Sequence, residues 1–323
     1  MIDNPFFSIC IPSYNSKSFI SETINSVLIQ TFKNFELIIV DNASSDSTID
    51  IVKQFQDDRL VLYKNATNIG IHGNHNLCMK YATGKYVHVL SSDDKFLYKD
   101  VLEKIYIQIT SCQIEPEVIG VLGSSDEVNP LLSEAITKKP NIIGGIDAVR
   151  KIFLNQLPFV LIPSLVLFKK DLIYKDNVIV EQWQVTNDIS YGDDTEFYLK
   201  LIKKSNYLFL DVPLIFYRVH SESVTEVATK SGRTTQLHCA MLNRWIREES
   251  IIKLSWIEKL WIMSTDYLRL TYEFPDDKVR RKLLKYEFTS IEKIFAILRK
   301  ISSKFLPIRL KTIIKSNLKS SGA

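Results

Sequence analysis

Two pairs of adjacent carboxylates are the residues whose types and spacing most directly suggest chemistry: Asp93-Asp94 in Ser91-Ser92-Asp93-Asp94, and Asp193-Asp194 in Tyr191-Gly192-Asp193-Asp194-Thr195-Glu196. Neighbouring carboxylates repel unless a cation or a network of donors compensates, and hard divalent cations take such oxygens while keeping positions open for phosphate. The first pair follows an apolar run and reads either as a metal–diphosphate site or as a cap on a helix that starts near Tyr98 and carries Val101, Leu102 and Ile105. The second pair opens a helix whose Phe197, Leu201 and Ile202 face inward. A carboxylate held at a helix N-terminus stays ionised near neutral pH and suits removal of a proton from a hydroxyl, which makes Asp194 the candidate base. Simple helix capping would use the same geometry.

Three further segments carry candidate contacts. Asp41 closes an apolar run in Val40-Asp41-Asn42-Ala43-Ser44-Ser45-Asp46. A carboxylate there can accept the imide proton of a uracil ring, with Pro12 and Tyr14 one loop away as rigid walls; the alternative is an Asx-type turn. Asn68-Ile69-Gly70 opens a helix where glycine lets the backbone approach a ligand and the N-terminus favours a phosphate. His72 and His75 on that helix have no carboxylate spaced with them and read as polar contacts, not ligands. Arg218 and His220 alternate on a strand-like run and point the same way, a guanidinium able to meet phosphate or carboxylate beside an imidazole able to bind a metal.

The elements that must position these residues follow from hydrophobic periodicity. Residues 6–11 form an apolar strand ended by Pro12, and 17–30 a helix with Ile20, Ile24, Val27 and Leu28 on one face. A second strand, 35–40, precedes a helix with Ser47 and Asp50 as a capping box. A strand over 59–63, a helix over 70–81 and a strand over 85–90 follow, the last running into 91–94. This alternation predicts a mostly parallel sheet flanked by helices, with the loops 12–15, 41–46 and 91–94 on the edge where such sheets bind ligands. Residues 111–230 read as an irregular α+β half completing the cleft begun by 1–110. Residues 231–323 read as a helical extension in which Leu284, Phe288, Ile291, Phe295 and Leu298 make one apolar stripe.

Composition narrows the classes. In 323 residues the formal net charge is only +4, too weak to argue for nucleic acid, and 46% hydrophobic residues exclude global disorder. The charge is uneven: from Lys278 onward there are 13 basic and two acidic residues. Cys10, Cys78, Cys112 and Cys239 show no metal or redox spacing and favour a reducing, cytoplasmic setting. No signal peptide or spanning helix is expected. The basic, apolar tail suits an anionic membrane surface, or else packing on the body or a homodimer seam. The loop after the first strand lacks the glycine-rich grip of a nucleotidyltransferase and the Gly-x-Gly-x-x-Gly turn of a dinucleotide enzyme.

Taken in order from Phe7 to about Thr225, Ser8-Ile9-Cys10-Ile11-Pro12-Ser13-Tyr14-Asn15, Val40-Asp41-Asn42-Ala43-Ser44-Ser45-Asp46, Asn68-Ile69-Gly70, the Asp93-Asp94 strand end, Gly192-Asp193-Asp194-Thr195-Glu196 and Tyr217-Arg218-Val219-His220 resemble the family 2 inverting glycosyltransferases of the GT-A fold. The resemblance implies a nucleotide-sugar donor, UDP in particular, held by Pro12, Tyr14, Asn15, Asp41, Asn68, Gly70, Asn76, Ser92 and Asp93. It also implies Mn²⁺ or Mg²⁺ on Asp93, Asp94 and His220, and Asp194 as the base that activates a hydroxyl of a saccharide acceptor, lipid-linked in some members. Such chemistry is a direct displacement with inversion, of the kind that builds surface polysaccharide. Two departures accompany it: Ser91 stands at the first position of the usual Asp-x-Asp-Asp, and Asp193-Asp194 replaces the usual Glu-Asp. Ser91 keeps open the reading of a non-catalytic nucleotide-sugar-binding assembly subunit.

Overall fold

A computed structural model describes residues 3–126, most of 140–220 and short stretches within 254–297. It divides the chain into two compact units, the first made of Met1–Gly145, Val160–Gln182 and Gly192–Val219, the second of Ile146–Phe159, Trp183–Tyr191 and His220–Ala323.

The first unit is built on one sheet. Strands β1 (Phe7–Ser13), β2 (Phe35–Asp41), β3 (Leu60–Lys64) and β4 (Tyr86–Val89) are parallel neighbours in the order β3-β2-β1-β4. Every residue of β2 is buried, and all but one of β1. Strands covered on both faces are apolar over most of their length, as in Ile9-Cys10-Ile11 of β1 and Leu37-Ile38-Ile39-Val40 of β2. The sheet continues through β8 (Val166–Lys169), β6 (Val118–Ser124), β11 (Asn206–Phe216) and the two-residue β5 (Lys95–Phe96), with β7 (Ile142–Gly144) also on β11. Here β8 runs antiparallel to both β4 and β6, and β5 and β7 antiparallel to β11. The segments either side of residue 110 thus share one sheet. A separate ribbon pairs β9 (Gln182–Thr186) with β10 (Ile189–Gly192).

Helices α1 (Ile20–Leu28), α2 (Thr48–Val52), α3 (Gly70–Tyr81) and α4 (Val101–Thr110) follow the first strands; α5 (Gly145–Phe153), α6 (Asp171–Lys175) and α7 (Asp194–Lys203) lie further along the chain. Ile20, Ile24 and Val27 of α1 and Leu102, Ile105 and Ile109 of α4 belong to the same buried cluster as Phe7, Ile9, Ile11, Leu37 and Ile39. The capping box expected at Ser47 and Asp50 is not formed: Asp46 Oδ1 instead accepts the Thr48 N–H at 2.9 Å, and α2 is a single turn. Asp93 and Asp94 do not cap a helix either, because β5 intervenes and α4 begins only at Val101, after Asp100.

At the edge away from the predicted ligand loops, Glu36 Oε1 accepts hydrogen bonds from Ser8 Oγ, the Thr83 N–H and hydroxyl, and the Gly84 N–H. The close approach requires glycine: a Cβ at Gly84 would sit 2.7–2.8 Å from Ser8 Oγ and from the Phe7 and Ser8 backbone. This buried knot registers β1, β2 and the turn into β4. Their opposite ends are therefore presented at fixed heights.

In the second unit, Ser255 with Glu258 and Thr289 with Glu292 form reciprocal capping boxes that start two helical segments. The expected stripe is split. Phe288 is buried, with its ring 5.4 Å from that of Tyr267, but Ile291 is 61% exposed, and the buried positions that follow are Glu292 and Ala296. Ile294 and Ile297 face out with Ile291, at 57% and 47% exposure, while the side chains of Leu284, Phe295 and Leu298 lie outside the described residues. Among the described residues no helix is long and apolar enough to cross a membrane.

Candidate active site

The strand order reverses between β1 and β4, so the loops beyond their carboxyl ends open a crevice. Three loops meet there and are bonded into one rim. Asn15, in the left-handed region at φ +49°, donates its N–H to Ser44 Oγ at 2.9 Å and accepts the Ser45 N–H on Oδ1 at 2.9 Å. The Ser16 N–H donates to Thr48 Oγ1 at 2.8 Å, and Ser16 Oγ lies 2.7 Å from Ser92 Oγ. Thr23 of α1 donates to the Asp94 carbonyl at 2.7 Å, with the Ser92 carbonyl 2.9 Å away. Tyr14 stands out from this rim, 50% exposed, beside Pro12.

Asp41 is completely buried beneath the rim. Its Oδ2 accepts the Ser44 N–H at 2.9 Å and its Oδ1 the Ser44 hydroxyl, with Ser13 Oγ at 3.5 Å. This is the Asx-type turn, in which Ala43, two residues on, lies at φ +61°. A nucleobase imide at Asp41 would share this carboxylate with the Ser44 N–H and hydroxyl.

An asparagine network that sequence reasoning missed supports the same edge. Asn42 Nδ2 donates to Asn68 Oδ1 at 2.9 Å, and Asn42 Oδ1 accepts the Ile69 N–H at 2.9 Å and Asn65 Nδ2 at 3.1 Å. Asn65 also donates to Asn74, which donates to the Val40 carbonyl. Asn68 further accepts the N–H of Gly70, whose φ is +78°. Asn68 and Gly70 are thus joined to the β2 loop. The density of Asn over residues 65–76 was the available signal.

The two carboxylates of the 91–94 loop differ in surroundings. Asp94 is turned inward: Oδ1 accepts the Arg218 N–H at 2.9 Å and Oδ2 the Ser164 hydroxyl at 2.5 Å. Burial, and then the charge of Asp93, push its pKa up to about 7. Both Asp94 oxygens accept a hydrogen bond from a protein donor and the residue is 1% exposed, so Asp93 is the more open carboxylate of the pair. Asp93 is half-buried, and its carbonyl accepts Arg218 Nε at 2.8 Å. The guanidinium expected to meet a ligand is instead occupied within the protein, with its NH2 group 2.8 Å from Glu22 Oε2 and its carbon 4.7 Å from the centre of the Phe19 ring.

Asp194 opens the ten-residue α7, and Tyr198, one turn on, is fully buried. Burial, then the charge of Asp194 and then Cys10 of β1 raise the Tyr198 phenol well above its ordinary value. Phe168 of β8 packs against Phe197 and Tyr198, so the base candidate is carried on a helix seated on the sheet. His220 belongs to the second unit. Among the described residues no three His, Cys, Asp or Glu side chains gather as a metal cluster.

A parallel sheet with this reversal, extended by antiparallel strands and rimmed by polar loops, defines a GT-A-type nucleotide-sugar fold. The chain aligns with S. aureus TarS residues 1–349 in complex with UDP at a TM-score of 0.57 and 19% identity, over 94% of this chain and 92% of that one. The family model for glycosyl transferase family 2 matches residues 8–112. TuaG of Bacillus subtilis, a glycosyltransferase named for teichuronic acid biosynthesis, is 41% identical over 80% of this chain and 92% of its own length. WfaP of Escherichia coli, a UDP-Glc:alpha-D-GlcNAc-diphosphoundecaprenol beta-1,3-glucosyltransferase, is 36% identical over 38% of this chain, a match that spans 53% of that protein. The chain belongs to glycosyl transferase family 2.

Proposed function

We propose that the protein is a divalent-metal-dependent, inverting glycosyltransferase that moves a sugar from a UDP-sugar to a hydroxyl of a lipid-linked saccharide in surface-polysaccharide assembly. The observation that carries this reading is the continuous rim formed by the three loops at the strand-order reversal, with Tyr14 exposed on it and Asp93 at its end. UDP is favoured by the UDP bound in the TarS neighbour and the UDP-glucose in the name of WfaP.

In this reading the uracil stacks on Tyr14 beside Pro12, and its imide N–H joins the Ser44 N–H and hydroxyl as a donor to Asp41. Asn15, Asn68, Gly70, Asn76 and Ser92 line the ribose and phosphate path. Asp93 fits a hard divalent cation, because Mg²⁺ or Mn²⁺ sites in such enzymes need only one or two carboxylates together with phosphate oxygens. When bound, the ion offsets negative charge on the departing diphosphate. Asp194 holds the acceptor hydroxyl and takes its proton as that oxygen attacks the anomeric carbon from the face opposite the diphosphate, so configuration inverts.

The lipid-linked acceptor is supported by WfaP, whose named substrate is a diphosphoundecaprenol-linked sugar. Contact with an anionic membrane surface is supported by the outward Ile291, Ile294 and Ile297 and by the 13 basic against two acidic residues from Lys278 onward. The free thiols of Cys10, Cys78 and Cys112 favour its cytoplasmic face.

The test is UDP release from UDP-glucose and UDP-GlcNAc on addition of a polyprenyl-diphosphate sugar acceptor. Asp194→Asn is expected to bind UDP as the unaltered protein does while transfer falls by at least ~10²-fold. An unchanged transfer rate in that variant would remove Asp194 as the base.

A further inference from the structure

We infer that Ser164, outside every motif of the sequence, is a positioning residue that aims Asp93. This rests on the reading above, in which Asp93 takes the divalent cation. Ser164 lies in the short 3-10 turn Pro163–Leu165 ahead of β8 and is completely buried. Its hydroxyl donates to Asp94 Oδ2 at 2.5 Å and accepts the Ser91 N–H at 3.0 Å, with Ser91 Oγ 3.1 Å away. One oxygen atom therefore grips the first and the last residue of the loop 91–94. Ser92 and Asp93 span the distance between those two ends, with Ser92 also bonded to Ser16 and Thr23.

The grip is itself anchored. The Ser164 carbonyl accepts Nε2–H of the buried His88 at 2.8 Å, tying the turn to β4, the strand from which the loop departs. The other Asp94 oxygen takes the Arg218 N–H, and the Asp93 carbonyl takes Arg218 Nε. Ser164 and Arg218, together with Ser16 and Thr23 at Ser92 and Asp94, thus hold the main chain on both sides of Asp93. The arrangement also accounts for Ser91. A carboxylate at that position would lie beside Asp94 at the same single hydroxyl, two acceptors for one proton, whereas a serine lets both ends of the loop share it.

The test is titration calorimetry of UDP across a Mn²⁺ series, with the full chain. Ser164→Ala is expected to raise the Mn²⁺ concentration needed for half-maximal UDP binding by about 10-fold, the low end of losses when a group supporting a metal ligand is removed, with metal-free UDP affinity unchanged within about twofold. Asp94→Asn retains an acceptor for the Arg218 N–H and a donor toward Ser164, so it is expected to keep the Mn²⁺ response. Ser164→Thr restores the hydroxyl and is expected to restore most of that response. A Ser164→Ala protein with the unaltered Mn²⁺ response would overturn the inference. So would an Asp94→Asn protein as impaired as Asp93→Asn, since Asp94 would then be a ligand and not a support. Should Ser164→Ala not fold, Ser164→Cys, which weakens the donor at nearly the same size, is titrated in its place, and an unaltered Mn²⁺ response there would overturn the inference. If Asp93→Asn itself keeps the full Mn²⁺ response, the metal reading beneath the inference is the part that fails.

Discussion

Replacing Arg218 by alanine separates two roles that the sequence leaves open, a ligand-binding guanidinium and an internal clamp. In the structure the side chain donates Nε–H to the Asp93 carbonyl at 2.8 Å, pairs with Glu22 at 2.8 Å, and lies 4.7 Å and 5.4 Å from the centres of the Phe19 and Phe216 rings. The charged hydrogen bond contributes about 1.5–3 kcal/mol. Glu22 is 55% exposed and keeps Lys95 at 3.0 Å, so its pair with Arg218 adds at most a few tenths. Each ring contact adds about 0.5–1 kcal/mol. Because these terms share one side chain and do not add fully, a loss of roughly 3 kcal/mol is expected, or about 6–12 °C in the melting of a unit this size. The main-chain N–H that holds Asp94 remains in Arg218→Ala, so the variant still folds. Thermal melts followed by circular dichroism, paired with UDP titrations well below the new midpoint, provide the assay. Melting within 1 °C of the unaltered protein, combined with lost UDP affinity, would refute the clamp and return the guanidinium to the phosphate.

Two further outcomes follow from other parts of the molecule. Burial lowers the pKa of His88 to about 4, against about 6.5 in an unfolded chain; the neutral ring's contribution is complete above pH 6.5 and is lost as pH falls toward 4, by about 3 kcal/mol. His88→Phe is expected to flatten that stretch of the stability–pH curve measured by urea unfolding, and an unaltered slope would place the acid sensitivity elsewhere. Flotation with anionic liposomes is expected to recover the full chain but not a chain ending at Asp277, whereas equal recovery would favour packing of the tail on the body or a homodimer seam.

The parallel half of the fold was legible because strands covered on both faces are mostly apolar, as residues 9–11 of β1 and 37–40 of β2 are. The second half was less so. β8 and β11 join the same sheet from more than 70 residues away, and their antiparallel and parallel pairings depend on contacts that no local period encodes. Asp41 and Asp94 show the same limit within the site. Residue type and strand-end position pointed to ligand contact, but whether a carboxylate faces out or in depends on donors brought from elsewhere, Ser44 for one and Ser164 and Arg218 for the other. Of the two tail-stripe positions whose side chains are described, Phe288 is buried and Ile291 is exposed, while the neighbouring Glu292, bonded to the Thr289 N–H, is buried.

Division of labour between Asp93 and Asp194 is tested most directly by measuring UDP affinity with and without Mn²⁺ in Asp93→Asn and Asp194→Asn side by side. The account predicts that the Mn²⁺ enhancement vanishes in the first and persists in the second. Enhancement retained by Asp93→Asn and lost by Asp194→Asn would contradict it.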